Sequence, residues 1–169
     1  MTTVRTARLS DLEAITAIYN HEVLHGSATF DTEPKHLEEQ LLWFGKHDER
    51  HPLLVATPDS NGEVLGWASL SAWSDRCAYA GTVENSIYVA PQSRGTGVGK
   101  LLLGDLLRVA AEAGTHTVLA RIADGNPASV HLHERAGFRH VGRMFEVGYK
   151  FGRWIDVLVM QKMLLGRGS

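Results

Sequence analysis

The chain has 169 residues, 44% hydrophobic and 21% charged, with a formal net charge of -2. That balance is ordinary for a soluble globular domain and offers no basic surface for nucleic acid. Its apolar runs are far shorter than the roughly 20 residues of a membrane-spanning helix. A single cysteine, Cys77, excludes an internal disulfide, and the N-terminal stretch lacks a signal-peptide apolar segment, so the expected location is the cytoplasm. One domain is expected over residues 1–165, with 166–169 as a C-terminal tail.

Val4 to Arg8 reads as a short first strand. Ser10 with Glu13 forms a capping box opening a helix whose Leu12, Ile15, Tyr19 and Val23 share one face, and Gly26 should end it. Ser27 to Glu33 is a polar loop broken by Phe30, either a core plug or a substrate wall. Pro34 suits the first turn of a second helix carrying Leu37, Leu41 and Phe44. Leu53 to Thr57 and Val64 to Ser71 are β-prone runs joined by Pro58-Asp59-Ser60-Asn61-Gly62, the composition of a hairpin turn. Trp73 to Gly81 is a polar-aromatic loop, Thr82 to Val89 a long strand, and Val98 to Ala113 a helix stopped by Gly114. Val118 to Ile122 is a strand, Pro127 to Arg135 a short helix closed by Gly137, and Val141 to Phe145 with Ile155 to Met163 a final strand pair. The pattern is α+β: a mixed, mostly antiparallel twisted sheet with helices on both faces.

The stretch from Glu84 to Lys100 organises the rest, reading as strand, bend, glycine loop and first helical turn. Gly95, Gly97 and Gly99 remove the Cβ atoms that would hold a ligand off and let backbone N–H groups converge. Leu101, Leu102, Leu106 and Val109 recur at helical spacing, so a helix offers its positive end to the loop's guest, expected to be a phosphate. The spacing excludes a Walker loop, since three residues rather than four separate Gly95 from the Gly99-Lys100 pair and Leu101 follows. It also excludes a dinucleotide fingerprint, because the pattern is Gly-x-Gly-x-Gly and lies mid-chain.

Within the strand, alternation puts Glu84, Ser86 and Tyr88 on one face and Val83, Asn85, Ile87 and Val89 on the other. A carboxylate there is costly to bury without a purpose; Glu84 is a base for an amine or an edge-strand or dimer contact. Among nine histidines, His47 with His51 and His131 with His133 lack carboxylates or cysteines at ligand spacing, so no metal is expected. Cys77 has no neighbouring base that would make it a nucleophile.

Arg94-Gly95-Thr96-Gly97-Val98-Gly99 resembles the pyrophosphate loop of the GCN5-related N-acetyltransferases, and Asn126-Pro127-Ala128-Ser129 to Gly137-Phe138 resembles their second acetyl-CoA motif. Tyr19-Asn20, Ala28-Thr29-Phe30 with Glu33-Pro34, Thr82 to Val89, and Gly148 to Trp154 are similar to the phosphinothricin and methionine sulfoximine acetyltransferase branch. The likeness spans nearly the whole chain. It implies that fold, acetyl-CoA as cosubstrate, no metal, and acetylation of the α-amine of a small amino acid analogue by direct transfer in a ternary complex. The coenzyme is implied to rest on Arg94, Gly95, Thr96, Gly97, Val98, Gly99 and Lys100. Its pantetheine arm is implied to lie along Ile87, Tyr88 and Val89, met from the other side by Asn126 and Ser129.

The resemblance also makes Glu84 the base and Val89 N–H the oxyanion donor. His133, where many members carry Tyr, becomes the acid for the departing thiolate, with water or a packing role as alternatives. Phe30, Ser74, Asp75, Arg76, Tyr79, Glu84, Asn85, Ser86 and Lys150 are the implied acceptor-binding residues, with Trp73 and Arg153 as further candidates. The loop Ser74 to Tyr79 is the least family-like part. A homodimer is expected through the apolar strand Ile155 to Met163. Two other readings stand beside this one: acetylation of a larger amine, which an open acidic cleft would favour, and a non-catalytic acyl-CoA-binding module, in which Glu84 would be dispensable.

Overall fold

The computed structural model describes residues 1–59 and 62–164; turn residues 60 and 61 and the expected tail at 166–169 lie outside these. Strands β2 (Leu53–Pro58) and β3 (Gly66–Ala72) are apolar on both faces, which decides the architecture. Leu53, Val55 and Trp67 turn to one side, Leu54, Ala56, Ala68 and Leu70 to the other. A sheet with two apolar faces has to be covered twice. Helices α1 (Leu12–His25) and α2 (Leu37–Phe44) cover the first face through Ile15, Ile18, Trp43 and Phe44. Helix α3 (Val98–Glu112) covers the second with a buried stripe of Leu102, Leu103, Leu106, Leu107 and Ala110. Helix α4 (Pro127–Arg135) adds Val130 and Leu132 beside it.

The remaining strands are β1 (Thr2–Thr6), β4 (Thr82–Val89), β5 (Thr117–Ala123), β6 (Arg139–Lys150) and β7 (Arg153–Met163). Their order across the sheet is β1-β2-β3-β4-β5-β7-β6. Every neighbouring pair is antiparallel except β4 with β5, which is parallel. Among the described residues no helix is long and apolar enough to cross a membrane.

Several boundaries depart from expectation. The first strand ends at Thr6, not Arg8, because the Asp11 carboxylate accepts the Arg8 N–H at 2.7 Å and bends the chain into a short 3-10 turn, Leu9–Asp11. Asp11 therefore replaces the expected Ser10–Glu13 box. The second helix opens at Leu37 rather than around Pro34, with Glu39 accepting the His36 N–H at 3.0 Å. Leu37 and Leu41 are exposed, while Trp43 and Phe44 do the packing. The final strand pair is longer than expected, since Phe151 and Gly152, both at positive φ, form a tight two-residue turn between β6 and β7. Register shifts carry pairing past Glu146, whose N–H bonds Asp156 at 2.9 Å.

Asp11 is buried and also accepts both arms of the Arg5 guanidinium, at 2.8 and 2.9 Å. The Arg5 bonds, against the opposing cost of burial, hold its carboxyl below the ordinary 3.8. A depressed carboxyl stabilises the fold above its unfolded value and loses that contribution as pH falls through the folded one. Asp11→Asn should therefore cost about 2 kcal/mol in urea denaturation at pH 7. The gap from wild type should close as the pH drops below about 4. A gap that is independent of pH would contradict this role.

Candidate active site

The site begins where β4 and β5 part. Their parallel pairing covers only Thr82 to Glu84 against Thr117 to Leu119, whereas β3 follows β4 to Val89 and β7 follows β5 to Ala123. Beyond Glu84 the two strands splay into a fork. The Ala90 N–H reaches Leu65 on the β3 side, so alternation turns the backbone groups of Ile87 and Val89 into the fork. That open edge suits the amides of an extended guest.

Above it lies a cleft of about 510 Å³ lined by Ile87, Val89, Arg94, Gly95, Gly97 to Lys100 and, from α4, Asn126, Ser129 and His133. Gly95 and Gly97 have φ of 75° and 90°, which only glycine adopts readily, and this turns the loop onto the start of α3. The first N–H groups of that helix have no partner within it and face the cleft mouth. Arg94 bonds Glu22 at 2.9 Å and the Val89 carbonyl at 3.3 Å, which anchors the loop to α1 and to the fork. The Thr96 hydroxyl donates to the Ser93 carbonyl at 2.7 Å, and Thr96 braces the loop instead of lining the cleft. Asn126 caps α4, accepting from the N–H groups of Ala128 and Ser129 at 3.1 and 3.2 Å. Its amide nitrogen is left as a donor. A diphosphate with an amide-bearing arm fits this chemistry.

On the α1 face of the sheet lies a second cavity, of about 480 Å³, walled by Ala28, Phe30, Ala123, Met144, Val147 and Val157 with Thr29, Ser86 and Tyr88. The two cavities meet at Glu84, Ser86, Tyr88 and Arg121, which line both. Glu84, Ser86 and Tyr88 thus share the face that alternation predicted. Burial raises the Tyr88 phenol well above its ordinary value, so it stays neutral. The Phe30 ring packs against Gly148, where a Cβ would come within 2.3 Å of it, so the absence of a side chain at Gly148 sets the wall's position.

Arg121 is the residue that sequence reading missed. Its Nε and Nη2 donate to the two Glu84 oxygens, both at 2.7 Å, and its guanidinium stands over the Trp73 ring at 5.7 Å. The hydrogen bonds to Glu84 outweigh burial and raise the guanidinium above its ordinary value. A signal was available: Val118, Ala120 and Ile122 form the apolar face of β5, so the alternate position of Arg121 falls on the Glu84 side.

Other expected residues land elsewhere. Asn85 is buried on the α3 side, not in the second cavity, and its amide donates to His133 Nε2 at 3.1 Å. His133 Nδ1–H donates to the Ser129 carbonyl at 2.8 Å. Burial holds this imidazole below its ordinary value, so it is neutral with both nitrogens engaged. As placed, it presents no free proton to the cleft. Lys150 is buried, donating to the carbonyls of Gly26 at 2.8 Å and Thr29 at 2.9 Å. Burial lowers its ammonium against the pull of Glu22 and Asp31. Lys150 pins the loop that carries Phe30 and does not line either cavity. Ser74, Asp75, Arg76 and Tyr79 also stay outside both cavities, on a loop around the short turn Cys77–Tyr79. Arg153 is tied to Asp124 at 2.7 Å. Among the described residues no group of three His, Cys, Asp or Glu could hold a metal ion.

Residues 15–138 match the model of the acetyltransferase (GNAT) family. An L-methionine sulfoximine/L-methionine sulfone acetyltransferase of Pseudomonas paraeruginosa is 43% identical over 159 residues, spanning 94% of this chain and 92% of that one. A phosphinothricin N-acetyltransferase of Streptomyces coelicolor is 44% identical over 163 residues, spanning 95% of each. A crystal structure of a GNAT superfamily phosphinothricin acetyltransferase from Sinorhizobium meliloti, in complex with AcCoA, superposes with a TM-score of 0.94. It is 40% identical, with 99% of this chain and 90% of that one covered.

Proposed function

The chain belongs to the GNAT acetyltransferase family, and from that premise we propose that it acetylates the α-amine of a small amino acid analogue of the methionine sulfoximine, methionine sulfone or phosphinothricin kind. Transfer is direct, within a ternary complex. The observation that carries this reading is the meeting of two unlike cavities at one carboxylate. One offers backbone N–H groups and an open strand edge; the other, of similar volume, sets an apolar wall of Phe30, Met144, Val147 and Val157 beside the Glu84–Arg121 pair.

Bound acetyl-CoA supplies the acyl thioester. Gly95 and Gly97 to Lys100 hold its diphosphate, while Ile87 and Asn126 orient the amide arm. Glu84, with a side chain only 16% exposed, takes the proton that an α-ammonium must lose before its nitrogen can attack. The Val89 N–H is the donor for the carbonyl oxygen under attack. His133 and Asn85 brace the fork, and water returns the thiol proton through the open cleft. Phe30, Met144, Val147 and Val157 take the apolar stem of the acceptor. Among the described residues, neither of these two cavities has the predominantly acidic lining that a larger amine would favour: acidic and basic side chains line both. The cytoplasm is the expected place of action, to which the free, exposed Cys77 is suited.

The chain also pairs with a second copy, through a different strand from the one expected. Ile155, Val157 and Met160 of β7 are core. The exposed apolar ribbon is instead Val141, Phe145, Val147 and Tyr149 of β6 with Phe151 and Trp154. It adjoins the acceptor cavity, which Met144 and Val147 of β6 line, so a partner there would close the rim.

Three experiments test these readings. Thiol release from acetyl-CoA should occur with methionine sulfoximine, methionine sulfone or phosphinothricin, and not with a peptide or an aminoglycoside. Glu84→Gln should lower kcat by about 100-fold or more while acetyl-CoA affinity holds. Turnover confined to the larger amines, or an unchanged rate in the variant, would refute the assignment. For the assembly, sedimentation should give a dimer that Phe145→Glu converts to monomer; a monomeric wild type would count against pairing.

A further inference from the structure

An α-amino acid brings one positive and one negative group into the acceptor cavity, and that cavity has one of each to meet them. Glu84 and Arg121 are its charged lining residues. The other cations considered for an acidic substrate are spoken for or distant: Lys150 on backbone carbonyls, Arg153 on Asp124, Arg76 on the outer loop.

Arg121 engages Glu84 sideways, through Nε and Nη2. A guanidinium has five N–H donors, and this mode leaves the end-on edge around Nη1 without a partner among the described residues. The Arg121 side chain is 51% exposed against 16% for Glu84, so the unspent part of the pair is the cation. The Trp73 ring beneath it restrains the plane.

We propose that Arg121 is the anchor for the acceptor's carboxylate, received on the Nη1 edge, so that the neighbouring α-ammonium falls against Glu84. Two opposite ion pairs then lie side by side, Glu84 with Arg121 and ammonium with carboxylate, each charge flanked by its opposite. Each Glu84 oxygen keeps a second lone pair. One N–H bond of the ammonium breaks, one O–H bond forms on Glu84, and the nitrogen keeps the electron pair for attack. The assignment rests on the preceding reading of the acceptor as an amino acid. It adds the reason for a free carboxylate beside the reacting amine.

The test compares methionine sulfone with its carboxamide, which keeps the amine and side chain but lacks the negative charge. Wild type should prefer the acid in kcat/KM by about 100-fold. Arg121→Gln should slow both substrates through the loss of its two bonds to Glu84, but it should lower the acid's kcat/KM by a much larger factor than the amide's, so that the preference collapses toward one, and Arg121→Lys should recover part of it. If both rates fall by the same factor in Arg121→Gln, the residue only holds Glu84 and the anchor assignment is wrong, the substrate reading surviving. A wild-type ratio near one overturns the anchor even should the variants fail to fold. No turnover of either form by wild type overturns the amino acid reading and the anchor with it.

Discussion

Everything in this protein's site depends on a strand pairing that stops early. Had β4 and β5 stayed together for their full lengths, the backbone groups of Ile87 and Val89 would be spent on a neighbour and the sheet would be closed. Instead each strand is fully supported on its other side, β4 by β3 and β5 by β7, so the fork can open between two well-held edges. Asn85, the first residue past the last pair, is fastened to His133 of α4, which spans the opening from the coenzyme side. A gap in a sheet leaves peptide groups unpaired, and that cost is tolerable where a guest supplies the missing hydrogen bonds.

Because strand side chains alternate, the fork also separates two environments across the thickness of one sheet. Ile87 and Val89 turn their side chains toward α3 and the phosphate loop, while Glu84, Ser86 and Tyr88 turn toward α1 and the acceptor cavity. In the function proposed above, a donor arriving through the open edge meets an amine approaching from the opposite face, with Glu84, which lines both cavities, at the junction. The proposed direct transfer suits that topology, and Cys77 lies exposed on the outer loop, away from the crossing.

The parts legible in the sequence were those with local causes. Two-faced strands, the leucine stripe of α3, the glycine loop and the Asn126-Pro127 helix start each carry their reason within a few residues. Glu84 could be found because alternation within its own strand assigns its face. Arg121 could not be singled out so easily, since its partner is 37 residues away in sequence and meets it only across the parallel pair. The place of Lys150 is hidden from the sequence for a related reason. A lysine at the end of a strand looks like an anion ligand until the carbonyls of Gly26 and Thr29, more than 120 residues earlier, close around its ammonium. His133 likewise changed meaning once Asn85 and Ser129 occupied both its nitrogens.

The open edge can be examined directly by following backbone amide resonances as acetyl-CoA is added to the isotopically labelled protein. The N–H signals of Ile87 and Val89 should shift together with those of Gly97 to Lys100, while Trp67 and Ile15 on the far face stay still. Saturable binding that leaves Ile87 and Val89 unmoved would mean that the fork does not receive the coenzyme's arm.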